Sequence, residues 1–264
     1  MLPQEPSINW QMRVIDSSSG NSYMGEFGNQ RVFIKLNASP LLPSLSTEGI
    51  VPKIQWIRKT DNGETLTAQS WVGGHSLSIE EMAEEQVYDI LKKLHGSHTL
   101  RDSLSNFDRS VSRPSELLAH LLEKPNSVVA TNTFLSKIAS EMLRTVPILN
   151  NLAMVVVHGN VSPDNWLKDE STGKIYLIDW KTVSLGDAYI DNAFLLSHYI
   201  PSKDWGAWLA KSGDRLADVA TLSKLIWYGK LSFLRQIDFY LEKGNTTAAN
   251  AEIQGLRRFM EMFE

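Results

Sequence analysis

Val155-Val-Val-His-Gly-Asn-Val-Ser-Pro-Asp-Asn-Trp-Leu167, followed shortly by Ile175-Tyr-Leu-Ile-Asp-Trp180, carries most of the information in this sequence. Short apolar runs bounded by turn-forming residues predict buried strands. The first run delivers His158 to a loop that holds Asn160 and Asn165, five positions apart, and the second ends on Asp179, fourteen positions further on. Two strand ends are thereby predicted to converge on one polar cluster. The plainer alternative has Asp179 cap a strand end and Asn165 make a turn.

Upstream, the texture changes. From residue 10 to about 72 the signals are short and strand-like: Arg31-Val-Phe-Ile-Lys-Leu36 alternates, and Asp61-Asn-Gly63 is a tight turn between two such runs. A small, mostly antiparallel sheet is expected there. Gly73-Gly74 then punctuates the chain. Ser78-Ile-Glu-Glu81 is a capping box, predicted to open a helix with Ile79, Met82, Ala83, Val87, Ile90, Leu91 and Leu94 on its apolar positions. Beyond it the pattern is mainly helical, with short strands expected at 154–157, 166–168 and 175–178. The boundary is placed at 73–77, giving an α+β chain with a smaller lobe over 1–75 and a helical lobe over 76–264. The aromatic residues of the last third, Trp205, Trp208, Trp227, Tyr228, Phe233, Phe239 and Tyr240 among them, are read as core.

Composition narrows the function classes. A chain of 264 residues with 42% apolar and 21% charged residues is neither disordered nor of low complexity, and no internal repeat is visible. The absence of cysteine excludes disulfides, thiolate metal sites, iron–sulfur clusters and a cysteine nucleophile. A formal charge of −4 argues against direct nucleic-acid binding. Residues 1–16 contain no apolar signal-peptide core, and the longest aliphatic stretch, Leu152 to Val157, is far short of the roughly 20 residues a membrane helix needs. A cytoplasmic protein with no membrane span is expected.

Phosphoryl transfer needs positioned phosphates, a hard cation, and an oriented acceptor hydroxyl with a group to take its proton. Asn165 and Asp179 supply the oxygen ligands that Mg²⁺ prefers. The pattern His158-Gly159-Asn160-x-x-x-x-Asn165, followed by Ile178-Asp179-Trp180, resembles the His-Gly-Asp-x-x-x-x-Asn and Ile-Asp-Trp pair of the aminoglycoside phosphotransferase and choline kinase superfamily. That resemblance implies a bilobal protein-kinase-like fold. Ser22-Tyr-Met-Gly25, Phe33-Ile-Lys35, Asn37-Ala-Ser-Pro40, Ala68-Gln69, Trp71, His198-Tyr-Ile200 and Leu222-Ser-Lys-Leu-Ile-Trp-Tyr-Gly229 are further similar to the cell-cycle regulator Z family of Gram-positive bacteria.

The resemblance implies ATP and Mg²⁺ as cofactors, ribose or 2-deoxyribose as acceptor, and a role joining cell division to the initiation of DNA replication. Division-site and replication-initiation proteins are the implied partners, with recruitment to the division site. Carried onto this sequence, it places a phosphate-covering hairpin over 17–25 with Ser19 and Gly20 at its turn. Lys35 becomes a partner of the α and β phosphates; alone, a strand lysine is usually a solvated edge charge. Glu48 becomes the acid that orients Lys35, or else an exposed helix-start acid. Gln69 and Trp71 fall in the hinge whose backbone holds adenine. Asp191 props the catalytic loop, in which His158 shapes the backbone rather than acting as acid or base.

One position departs from the pattern. Asn160 stands where the superfamily has aspartate, and an amide does not accept a proton at neutral pH. General-base help is worth roughly 10²- to 10⁴-fold in rate, so a weakened enzyme is expected. Asp164 is not expected to replace the lost base. A deliberately inactivated variant, a natural low-activity enzyme and a nucleotide-binding regulatory pseudokinase all fit this residue. Choline or an aminoglycoside stays open as acceptor.

Overall fold

The computed structural model describes residues 11–15, 21–108 and 110–264. In chain order the strands and helices are β1 (Gln11–Val14), β2 (Ser22–Phe27), β3 (Gln30–Leu36), α1 (Leu42–Thr47), β4 (Ile54–Lys59), β5 (Thr65–Ser70), β6 (Gly74–His75), α2 (Glu85–Gly96), α3 (His98–Phe107) and β7 (Val111–Ser112). They continue with α4 (Pro114–Glu123), α5 (Val128–Thr131), α6 (Thr133–Arg144), β8 (Val155–Val157), β9 (Trp166–Asp169), β10 (Ile175–Leu177), β11 (Ser184–Gly186), α7 (Tyr189–His198), α8 (Trp205–Ala210), α9 (Val219–Glu242) and α10 (Thr246–Glu261). Two compact units result. One comprises the described residues up to Ser76 together with Trp166–Lys181, the other Leu77–Asn165 with Thr182–Glu264.

The first unit is built on an antiparallel sheet in the order β1-β2-β3-β5-β4. Side chains alternate across a strand, so Val32 and Ile34 of β3 meet Ala68 of β5 in a buried cluster covered by Tyr23, Trp56 and Leu66. Lys35, next to Ile34, falls on the opposite face. The expected turn joins β4 to β5: Gly63 has φ +81°, and its N–H donates to the Thr60 carbonyl at 2.9 Å.

The segment 166–181 departs from the boundaries read off the sequence, which left it in the helical lobe. A two-stranded hairpin is marginal by itself and is stabilised by a neighbouring edge. The β9–β10 hairpin finds that edge in β6, pairing Gly74 with Asp169 and His75 with Lys168, and the Leu177 N–H donates to the Ile50 carbonyl at 3.0 Å. The approach at Gly74 is so close that a Cβ there would lie 1.9 Å from the Lys168 carbonyl oxygen, which restricts the position to glycine.

In the second unit the capping box forms as expected. The Ser78 N–H donates to Glu81 Oε2 at 2.9 Å and the Glu81 N–H to Ser78 Oγ at 3.3 Å. It opens only a short 3₁₀ turn, however. Glu84 is extended, with ψ 146°, and α2 begins after it. Met82, Val87, Leu91 and Leu94 are buried as predicted, whereas Ile79 and Ala83, placed before the break, are exposed.

The long helix α9 packs between α7 and α10. Trp205, Trp208, Trp227, Tyr228 and Phe233 are buried, while Phe239 is exposed. Two glycines set the α9–α10 contact. A Cβ on Gly229 would lie 2.5 Å from Phe259 Cζ, and one on Gly255 would lie 2.8 Å from Phe233 Cε1, so each glycine accommodates a ring of the facing helix. Gly229→Ala is expected to destabilise the chain by roughly 1–3 kcal/mol through overpacking, despite alanine's better helix propensity; urea unfolding measures it. No helix among the described residues is long and apolar enough to cross a membrane.

Candidate active site

Strand β8 ends at Val157, and the chain turns at once. Gly159 has φ +81°, and a Cβ there would sit 2.9 Å from the Thr182 carbonyl oxygen, so both conformation and space require glycine. Thr182 Oγ1 donates to the His158 carbonyl at 2.8 Å. Beneath the loop lies Asp191, in the first turn of α7 and fully buried. Its Oδ2 accepts the His158 N–H at 2.9 Å and its Oδ1 the Gly159 N–H at 2.8 Å, while His95 Nε2 stands 3.0 Å from Oδ2. Burial opposes the charge on Asp191, yet the hydrogen bond and charge of His95, with the backbone donors, hold its carboxyl below the ordinary carboxylate range. Asp191 is thus a prop for the loop, not a cap for its own helix.

Within the loop, the His158 ring is buried and its Nδ1 accepts the Asn160 N–H at 3.3 Å. That bond needs a lone pair on Nδ1, leaving Nε2 to carry the proton of the neutral ring. Asn165 Nδ2 donates to the Asn160 carbonyl at 2.8 Å. The nitrogen of the Asn165 amide is committed inward, which leaves its oxygen as the atom able to meet a cation. Asp164, in the 3₁₀ turn before Asn165, is exposed.

The first unit presents the other half of the predicted chemistry. Asp179 follows β10 in the left-handed region, φ +60°, a conformation that aspartate tolerates better than most residues. It is fixed there beside the buried Trp180, whose Nε1 donates to the Leu177 carbonyl at 3.1 Å. Lys35 Nζ lies 3.2 Å from Asp179 Oδ1, an ion pair across 144 positions of sequence, and Lys181 Nζ lies 3.2 Å from Oδ2. Partial burial works against ionisation, but the two ammonium groups hold the Asp179 carboxyl below its usual range.

The remaining sequence-derived positions fall as follows. Glu48, expected as the acid orienting Lys35, closes α1, its N–H donating to the Ser44 carbonyl at 3.0 Å, and Lys35 is ion-paired with Asp179. Gln69 is not in an open hinge. It lies within β5, paired to Phe33 and Ile54, and its side chain donates to the Pro52 carbonyl at 2.9 Å. A buried polar side chain must find such a partner, and this one is spent on the sheet. Trp71 follows the end of β5 and is partly exposed. Ser19 and Gly20 lie outside the described residues; the strands flanking them pair, with the Ile15 N–H donating to the Ser22 carbonyl at 2.9 Å. Sequence reading missed His95 and Lys181. The signal for His95 was a polar residue in the last turn of a helix whose stripe is otherwise apolar.

A lysine on a small antiparallel sheet paired with an aspartate that follows a second hairpin, and an acid-propped His-Gly loop in a helical unit, are features of the protein-kinase-like class of phosphotransferase folds. The chain belongs to the phosphotransferase enzyme family, whose model matches residues 37–228. Among solved structures it is similar to the GDP complex of wild-type aminoglycoside 2′-phosphotransferase-IIIa, at 14% identity and a TM-score of 0.64, covering 99% of this chain and 96% of that one. Choline kinase LicA from Streptococcus pneumoniae matches at 14% identity and a TM-score of 0.59, covering 94% and 93% of the respective chains. Spectinomycin phosphotransferase in complex with ADP and spectinomycin matches at 15% identity and 0.56, covering 97% and 89%. At these identities the likeness is one of fold.

Proposed function

We propose that this protein transfers the γ-phosphoryl group of ATP to a hydroxyl of a small molecule, a pentose such as ribose or 2-deoxyribose. Its cellular role would join division to replication initiation, with proteins of those processes as partners. The observation that carries the reading is the Lys35–Asp179 pair, since an ammonium on β3 and a carboxylate just after β10, held 3.2 Å apart, are what phosphates and their cation need from a protein. Among the described residues no group of three or more His, Cys, Asp or Glu side chains converges as a metal cage would. Mg²⁺ suits that arrangement, because it takes one or two protein oxygens and completes its shell with phosphates and water. Asp179, held ionised, is an oxygen donor of this kind, and the Asn165 amide oxygen is another by its chemistry; a bound ion would neutralise charge on the phosphates.

In this reading Lys35 binds phosphate, and the backbone after β5, around Trp71, receives the base. The acceptor oxygen bonds to the γ-phosphorus as the bond to the bridging oxygen breaks, leaving ADP. Asn160 orients the hydroxyl by accepting its hydrogen bond, and the proton passes to water because the amide cannot take it. His158 and Asp191 keep the loop in shape for that contact.

A cationic acceptor is the second reading. It draws on Tyr199 and Tyr240, whose hydroxyls are held above the ordinary phenol range by burial first and then by the negative charges of Glu252 and Asp164. Acidic and aromatic groups together suit an amine. Calorimetry with Mg·ADP tests the nucleotide site. Binding to the unaltered protein, weakened roughly 10- to 100-fold in Lys35→Ala, is the expected result; a flat trace with the unaltered protein ends the proposal. Phosphoryl transfer to ribose, 2-deoxyribose, choline and kanamycin then separates the acceptors.

A further inference from the structure

Asp179 is gripped from both sides. Each of its oxygens has an ammonium 3.2 Å away, Lys35 on Oδ1 and Lys181 on Oδ2. One lysine neutralises one carboxylate, so the second leaves the trio with a net positive charge. The two lysines also differ in setting. The Lys35 side chain is 20% exposed and rises from the middle of a sheet, whereas that of Lys181 is 48% exposed. Lys181 is carried by the short turn Trp180–Thr182, anchored next to the buried Trp180 ring, so its base is fixed while much of its reach lies in solvent. A lysine is a flexible point charge well suited to binding phosphate oxygens.

We propose that Lys181 is a second phosphate-binding cation of the nucleotide site, which holds Asp179 while no metal is bound and moves to a nucleotide phosphate when a divalent cation takes the carboxylate. The proposal rests on the reading of Lys35 and Asp179 as a nucleotide site. Two consequences follow from the charges. A nucleoside diphosphate binds measurably without any metal, because two ammonium groups already face it. A divalent cation binds the nucleotide-free protein weakly, because it must displace Lys181 from Oδ2 and is repelled by both lysines.

The test uses the full chain in EDTA, with ADP titrated by calorimetry, and separately Mn²⁺ binding to the nucleotide-free protein followed by electron paramagnetic resonance. In Lys181→Gln and Lys181→Ala, ADP affinity in EDTA should fall about tenfold, Mn²⁺ affinity should rise several-fold, and Lys181→Arg should restore ADP binding. Thermal melting checks that each variant folds, and the two neutral substitutions serve as independent replicates. Unchanged ADP affinity in EDTA overturns the phosphate role, and unchanged Mn²⁺ affinity overturns the guarding of Asp179. If the unaltered protein ignores ADP with and without Mg²⁺, the nucleotide site itself is wrong, an outcome distinct from either.

Discussion

Asn160→Asp should raise the turnover of phosphoryl transfer by roughly 10²- to 10⁴-fold, the ordinary worth of a positioned general base. The loop is prepared for the exchange. Both backbone groups of residue 160 are already engaged, the N–H with His158 Nδ1 and the carbonyl with the Asn165 amide, so a nearly isosteric side chain alters neither bond. The gain should fall on kcat, with KM for ATP little changed, because the phosphate contacts assigned to Lys35 do not involve position 160. A pH profile gives the second readout: the variant's rate should rise with pH through a carboxylate ionisation, a limb the asparagine form lacks. Equal turnover in the two forms would place the general base elsewhere or remove it from the mechanism.

Asp191→Ala should cost about 3–5 kcal/mol of stability, the range found when one partner of a buried charged network is removed. The substitution strips partners from the His158 and Gly159 N–H groups and from His95 at once, around a carboxylate that is itself fully buried. Asp191→Asn should cost less, since an amide oxygen still accepts one of the two N–H bonds. The pH dependence has a definite sign. The Asp191 carboxyl is held below its ordinary value in the folded state, so its contribution is complete above the unfolded value of about 3.9 and is lost as pH falls through the folded one. Urea unfolding at pH 7 should therefore separate the two proteins widely, and the gap should close in strong acid. A loss under about 1 kcal/mol at pH 7 would mean that water or another group satisfies the loop.

Much of this architecture is legible in local pattern. Alternation around Val32 and Ile34 gives the buried face of the sheet, Asp61-Asn-Gly63 gives the turn, and the apolar runs ending on His158 and Asp179 give the strands that carry the polar residues. The polar loop residues were found by residue type and spacing, because the loop is short and its hydrogen bonds join neighbours such as Asn160 and Asn165. Gln69 shows the limit of carrying over a resemblance: the family likeness put it in the hinge, whereas the ladder to Phe33 and Ile54 keeps it in the sheet that the strand-like texture up to about residue 72 had indicated.

What the sequence determined by itself is the set of elements and their buried faces, because side-chain periodicity, turn chemistry and the exclusion of apolar surface from water act over a few residues. What only the tertiary structure decided is which remote groups meet. Lys35 pairs with Asp179, His95 with Asp191, and Trp166–Lys181 joins the first unit rather than the helical one. Those choices depend on which strand edge a hairpin finds and on which buried charge needs a partner. Both are settled by packing across the whole chain, and no local stretch of residues encodes them.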